Sequence, residues 1–150
     1  MDIKTDIIII GAGPAGCMAA GILRDAGREV LLIDKKKFPR HKSCAGGLTP
    51  KTIAELPFDI DDLSEHNSEK MLFKFTNGKT VDLNNELGAC KMVVREEFDN
   101  HFLNHVLKKG AKFLHSKVEN IIENEQGITV KTTHEVIRGN FLIGADGANS

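Results

Sequence analysis

Four consecutive isoleucines, residues 7–10, run directly into the turn Gly11-Ala12-Gly13-Pro14-Ala15-Gly16. An unbroken β-branched run of this kind suits a strand buried on both faces of a parallel sheet. The next segment, 15–26, is rich in Ala, Leu and Met and is stopped by Gly27, a good residue just past a helix end. A second apolar strand over 30–33 ends at Asp34. Strand, turn, helix and strand make a βαβ unit, whose crossover is right-handed. Gly11 permits the tight turn, Gly13 lets the backbone approach a pyrophosphate, and Gly16 lets the helix pack closely on the strand. Free amides at the helix start then face the phosphates, helped by the helix dipole. Alone the glycine pattern is weak. It gains specificity from the strand before it, the helix after it, and an acid about 20 residues on, placed to accept both hydroxyls of an adenosine ribose. The segment therefore implies dinucleotide binding and leaves the choice of dinucleotide open.

Composition narrows the remaining classes. The chain has 150 residues, 41% hydrophobic and 27% charged, with a formal net charge of −1. That describes a folded chain with enough length for one α/β core, and excludes nucleic-acid binding by bulk electrostatics. No stretch reaches the roughly 18 apolar residues of a membrane helix. Asp2 and Asp6 beside the first apolar run are wrong for a secretory signal. Cys17, Cys44 and Cys90 are an odd set with no CxxC pair, so neither a disulfide framework nor a zinc site is expected. The default expectation is a soluble cytoplasmic protein.

Further along, 35–57 reads as a long polar loop with room for a short helix after Pro50. The runs 71–75 and 79–83 flank Asn77-Gly78, a strong hairpin signal, and 91–94 reads as another strand. An amphipathic helix follows over 96–109, its apolar side made of Phe98, Phe102, Leu103, Val106 and Leu107, with Gly110 as its stop. A short strand at 112–115 precedes a hairpin of 117–123 and 128–133 turning at 124–127, then strands at 135–138 and 141–143. His101 and His105 are spaced to share a metal, but Phe102 breaks the HExxH pattern and both flank the apolar stripe; no metal site is expected. The basic cluster Lys35, Lys36, Lys37, Arg40, His41 and Lys42 reads as a solvated loop, or more sharply as an attractor of substrate diphosphate, lipid headgroups or cofactor phosphates.

With the opening motif, the segments FPRHKSCAGGL (38–48), VVREEFDNHFL (93–103) and GADGANS (144–150) resemble the geranylgeranyl reductase family, FAD-dependent enzymes related to p-hydroxybenzoate hydroxylase. The resemblance runs the whole length and rests on four motifs in order. It implies an α/β, Rossmann-like FAD-binding fold with a parallel central sheet, a β-meander crossover and an inserted β-hairpin region. Residues 1–150 would be an FAD-binding domain cut short of complete, the amino-terminal part of a longer enzyme, with strands at about 57–94 beginning a substrate-binding region.

The implied activity is hydride transfer from reduced flavin to carbon–carbon double bonds of geranylgeranyl or polyprenyl chains, in isoprenoid lipid biosynthesis. Carried over by motif, Gly11, Gly13, Ala15 and Gly16 lie at the pyrophosphate and Asp34 at the adenosine ribose, where the family commonly has Glu. Cys44, Ala45, Gly46 and Gly47 lie against the flavin ring, with the Cys44 thiol as candidate proton donor. Arg95, from the RxxFD pattern, reaches a flavin phosphate or ribityl oxygen, and Val118 gives a backbone contact to adenine. Asp146 belongs to a region that serves flavin and reduced nicotinamide together. Reduced nicotinamide, NADPH included, or ferredoxin would recharge the flavin. A prenyl lipid or prenyl diphosphate would be the substrate, with peripheral membrane contact and no nucleic-acid partner.

Two rivals remain open. A flavin monooxygenase or halogenase uses the same cofactor domain with oxygen, although CAGGL looks like the reductases. A non-catalytic dinucleotide-binding fragment is the other.

Overall fold

The computed structural model describes residues 2–84, 89–125 and 127–148. Gln126 of the expected 124–127 turn, and Asn149 and Ser150 of the last motif, lie outside the described residues. In chain order the elements are β1 (Asp2–Lys4), β2 (Ile7–Ile10), α1 (Pro14–Asp25), β3 (Val30–Asp34), β4 (Gly47–Leu48), α2 (Pro50–Ala54), β5 (Ser64–Ser68), β6 (Lys70–Lys74) and β7 (Thr80–Asn84). They continue as β8 (Cys90–Val93), α3 (Arg95–Lys108), β9 (Lys112–His115), β10 (Val118–Asn124), β11 (Gly127–Thr132), β12 (Val136–Gly139) and β13 (Phe141–Gly144). The chain divides into two compact units, one of Met1–Arg40 with Asp99–Ser150 and one of His41–Phe98.

The first unit is built on a parallel sheet ordered β13-β2-β3-β9. Its register aligns Ile143, Ile9, Leu32 and Phe113 in one row. Because side chains alternate across a strand, the sheet sends apolar groups to both faces. On one face Ile8, Leu31 and Ile33 pack with Val130 and Ile137 of the meander β10-β11-β12, to which β1 adds in parallel. Each such fully buried side chain contributes about 1.5–3 kcal/mol.

The other face is covered by α1, whose Gly16, Cys17, Ala20 and Gly21 are buried. A side chain at position 16 would lie 3.4 Å from Ile9 Cγ2, which fixes the closeness of helix to sheet. Gly21 opens a similar approach to Val106 of α3. No side chain caps α1; packing holds a 12-residue helix that would be marginal alone. At the far end Arg24 Nε donates to the Lys109 carbonyl at 3.1 Å, and Lys109 Nζ reaches both carboxylate oxygens of Asp25 at 2.7 and 2.9 Å.

The second unit has β8 between β4 and β5, all antiparallel, and the separate hairpin β6–β7. Thr49 caps α2 by accepting the Thr52 amide hydrogen. Ile60 and Phe98 are fully buried, and the Phe58 ring lies 6.2 Å from that of Phe98. The hairpin matches expectation to one residue at each end.

The expected fold class holds: parallel sheet, meander and hairpin are all present. Three features differ from the expected strands and loop. The 35–57 connection carries β4 as well as α2, so it is not structureless. Strands β1 and β5 were not expected. β1 is three residues long, and β5 (Ser-Glu-His-Asn-Ser) has no apolar side chain; backbone pairing to β12 and β8 makes them strands. No described helix is long and apolar enough to cross a membrane.

Candidate functional site

At the end of β2 the chain turns through Gly11, with φ of +101°. Its amide donates to the Ile33 carbonyl at 2.7 Å, and the Ala145 amide donates to the Ile10 carbonyl at 2.7 Å. A Cβ at position 11 would press into the Ala145 backbone and lie 2.7 Å from Asp146 Cα. Thus a glycine is required where the first turn and the last glycine-aspartate turn touch, and the backbone of Asp146 sits beside Gly11 with its residue exposed. Gly16 is equally constrained, since a Cβ there would overlap the Gly11 carbonyl oxygen.

Pro14 opens α1 after Gly13, whose backbone is extended. Proline suits this place because its missing N–H would have had no helical partner. The first helical bond runs from the Cys17 amide to the Gly13 carbonyl at 2.9 Å. The amides of Ala15 and Gly16 precede it, at the positive end of the helix dipole. Ala15 is exposed and Gly16 is buried. An anionic group is what such an end accommodates.

Asp34, half-buried at the end of β3, closes the other side of the turn. Its Oδ2 accepts the Ala12 amide hydrogen at 3.0 Å and its Oδ1 accepts that of Lys36 at 2.8 Å. A carboxylate has about four acceptor sites, so capacity for further donors remains. Within the first unit the structure therefore brings Gly11, Gly13, Ala15, Gly16, Asp34 and Asp146 around one turn. Val118 starts β10 opposite Thr132 and is half-buried against the meander core.

Cys44, Ala45, Gly46, Gly47 and Arg95 belong to the second unit. Cys44 and Ala45 are exposed, and Cys44 Sγ accepts the Gly46 amide hydrogen at 3.5 Å. Gly46 is buried at φ +77°, and a Cβ there would overlap the Val93 carbonyl oxygen. Its amide neighbourhood is tied down by the Val93 amide donating to its carbonyl at 3.0 Å. Contact with β8 thus gives this glycine a local structural reason that sequence reasoning had sought only in a flat ring. Gly47 is exposed and pairs with Met92. Arg95 is half-buried at the first position of α3.

Cys17 is buried, and its thiol donates to the Ala12 carbonyl at 3.3 Å. Burial, followed by the nearby Asp99 carboxylate, pushes its pKa up to about 12. It remains a thiol and serves the turn as a hydrogen-bond donor, not a nucleophile.

Sequence reasoning missed Asp99. It is fully buried on α3 and its Oδ2 lies 3.2 Å from Arg40 Nη2. The guanidinium carbon of Arg40 is 4.8 Å above the centre of the Phe38 ring, which meets Phe113 edge-on at 5.8 Å. Position 99 falls three residues before Phe102 and four before Leu103, on the apolar face of the helix, and that placement was the available signal.

A family model described as FAD binding domain matches residues 4–150. A geranylgeranyl diphosphate reductase from Rhodobacter capsulatus is 34% identical over 157 residues, which cover 98% of this chain and 38% of that protein. A geranylgeranyl bacteriochlorophyll reductase-like protein from Thermoplasma acidophilum is similar in structure, with a TM-score of 0.87 at 22% identity over 98% of this chain and 40% of that one. A flavin-dependent brominase gives 0.82 at 22% identity, over 97% of this chain and 39% of that one. At such identity the two structures establish the fold alone. The chain spans about 40% of the length of these proteins. A glycine turn, a helix start with no side-chain cap and an acid at the next strand end all agree with the family match. The chain belongs to the FAD-binding domain family.

Proposed function

We propose that this chain is the cofactor-binding portion of an oxidoreductase that uses FAD to reduce carbon–carbon double bonds in geranylgeranyl or polyprenyl chains. The observation that carries the reading is the 34% identity, over 98% of the chain, to a protein named geranylgeranyl diphosphate reductase. The first unit fits FAD: α1 starts with no side-chain cap on its amides, Gly13 presents no side chain, and Asp34 retains acceptor capacity.

Ala15 and Gly16 amides hold the pyrophosphate, with Gly11 and Gly13 giving it room, and Asp34 accepts the ribose hydroxyls. Val118 borders the adenine through its backbone, and Asp146 stands at the same turn. By motif resemblance Arg95 takes a phosphate or ribityl oxygen, and Cys44 to Gly47 form the surface facing the isoalloxazine. When bound, FAD supplies the two-electron redox chemistry.

An isolated alkene is a poor hydride acceptor, so the protein's part is to position it, exclude water and deliver a proton. The exposed Cys44 thiol is the proton-bearing group assigned to that last task. The β6–β7 hairpin pairs Phe73 with Val81, 43% and 44% exposed, and so displays apolar surface suited to a prenyl chain. The substrate is a prenyl lipid or prenyl diphosphate met at the membrane surface, and reduced nicotinamide or ferredoxin is the electron donor.

Anaerobic incubation of the FAD-loaded, chemically reduced protein with geranylgeranyl diphosphate tests this. Mass spectrometry should show products gaining two hydrogens per double bond. Turnover that requires oxygen and yields hydroxylated or halogenated product would instead favour the monooxygenase or halogenase alternative.

A further inference from the structure

In the basic run 35–42, Lys35, Lys36, Lys37, His41 and Lys42 are exposed, whereas the Arg40 side chain is drawn inward to 14% exposure. Two contacts and one near approach place it within the first unit. Asp99, fully buried, pairs with Nη2 at 3.2 Å; the Phe38 ring lies under the guanidinium; and Nη2 is the group that a side chain at Gly13 would meet, at 3.4 Å. The last approach is the informative one. It sets a positive charge beside the middle glycine of the turn, near the start of α1 where the dipole is also positive. A guanidinium presents five donors in a rigid fork, more than one carboxylate oxygen engages.

We propose that Arg40 is a cofactor-phosphate residue: Asp99 and Phe38 hold its guanidinium beside Gly13, where it donates to the pyrophosphate of the bound dinucleotide. Asp99 is then the positioning residue that keeps the fork aimed. The exposed lysines of the same run are solvated and contribute only a screened, long-range field. This inference rests on the FAD reading of the preceding subsection and deepens it.

Removing Arg40 alone would take a cationic partner from the buried Asp99 carboxylate and endanger the fold, so the test uses Arg40→Met/Asp99→Leu, which removes both charges of the pair together. Calorimetric titration compares ADP, which carries the diphosphate, with adenosine, which does not. The double variant, with a melting temperature like the parent's, should bind ADP about tenfold more weakly and adenosine unchanged. Equal ADP affinity in parent and double variant would overturn the proposal and identify the pair as scaffolding.

Should the double variant not fold, the parent decides. The Arg40 Nε–H resonance, assigned by its loss in Arg40→Lys, should move on saturation with ADP and stay in place with adenosine. A resonance indifferent to bound ADP overturns the role of Arg40 alone. Failure of the parent to bind ADP overturns the FAD reading, and this proposal with it.

Discussion

The carboxylate of Asp34 accepts the amide hydrogen of Ala12 at 3.0 Å, tying the end of β3 to the glycine turn that follows β2. One side chain thereby shapes the turn, and under the proposed function it also faces the ribose. Its second oxygen accepts the Lys36 amide hydrogen, so the strand end is held from both directions.

Asp34→Asn separates these tasks. Its single amide oxygen serves only one of the two backbone donors, leaving the other to be satisfied by water at a cost of about 1–3 kcal/mol. Thermal unfolding should show that loss, and FAD affinity should fall further because the ribose hydroxyls lose a charged acceptor. Unchanged FAD affinity would remove Asp34 from the site.

Two glycines on α1 are expected to respond in opposite directions. Gly16→Ala drives a Cβ into the Gly11 carbonyl oxygen and should destabilise by about 1–3 kcal/mol while abolishing FAD binding. Gly21→Ala places its Cβ in ordinary contact, 3.6 Å from Val106, and should stabilise the helix by about 0.5–1 kcal/mol. Denaturant unfolding of both variants checks the pair.

Acid should weaken the fold in two separate windows. Desolvation, with Lys109 and His101 adding positive charge and Asp25 opposing them, lowers the His105 pKa from 6.5. The unfolded chain therefore takes up this proton first, and stability is complete above about pH 6.5 and declines as pH falls below it. Hydrogen bonds from the Thr132 and Ser116 hydroxyls lower the pKa of Glu135 from 4.5, so its contribution is present above that value and disappears as pH falls further. Unfolding midpoints followed from pH 8 to 3 should show both declines, with His105→Gln flattening only the first.

Cys44→Ser addresses the proton. The residue is exposed, so unfolding should change by less than about 0.5 kcal/mol, and FAD binding should persist. Under the proposed function the rate of double-bond reduction falls, because a hydroxyl is a far weaker acid than a thiol. Full activity in Cys44→Ser would assign the proton elsewhere.

The legible parts of this fold are those with local causes. The isoleucine run, the glycine turn and Asp34 lie within 28 residues, and each constrains its neighbour, so β2, α1 and β3 could be placed from sequence. The hairpin around Asn77-Gly78 is local in the same way. Strand β5 was not legible, because Ser64–Ser68 has no apolar alternation and becomes a strand only by pairing with β8 some two dozen residues away. The Arg40–Asp99 pair was hidden for a related reason. Arg40 sits in a run that looks solvated, and its partner lies on another element. Cofactor geometry across the two motifs of the second unit was likewise a matter of resemblance, not of local pattern.

The most direct measurement is the visible spectrum of the purified chain, with chromatographic identification of any nucleotide it releases. The chain has no Trp and no Tyr, so its own near-ultraviolet absorbance is very weak and even partial flavin occupancy is visible. The expected result is a flavin spectrum and released FAD, retained on added FAD by the parent and diminished in Asp34→Asn. Release of NAD in place of FAD, or no uptake of FAD at excess, would contradict the account.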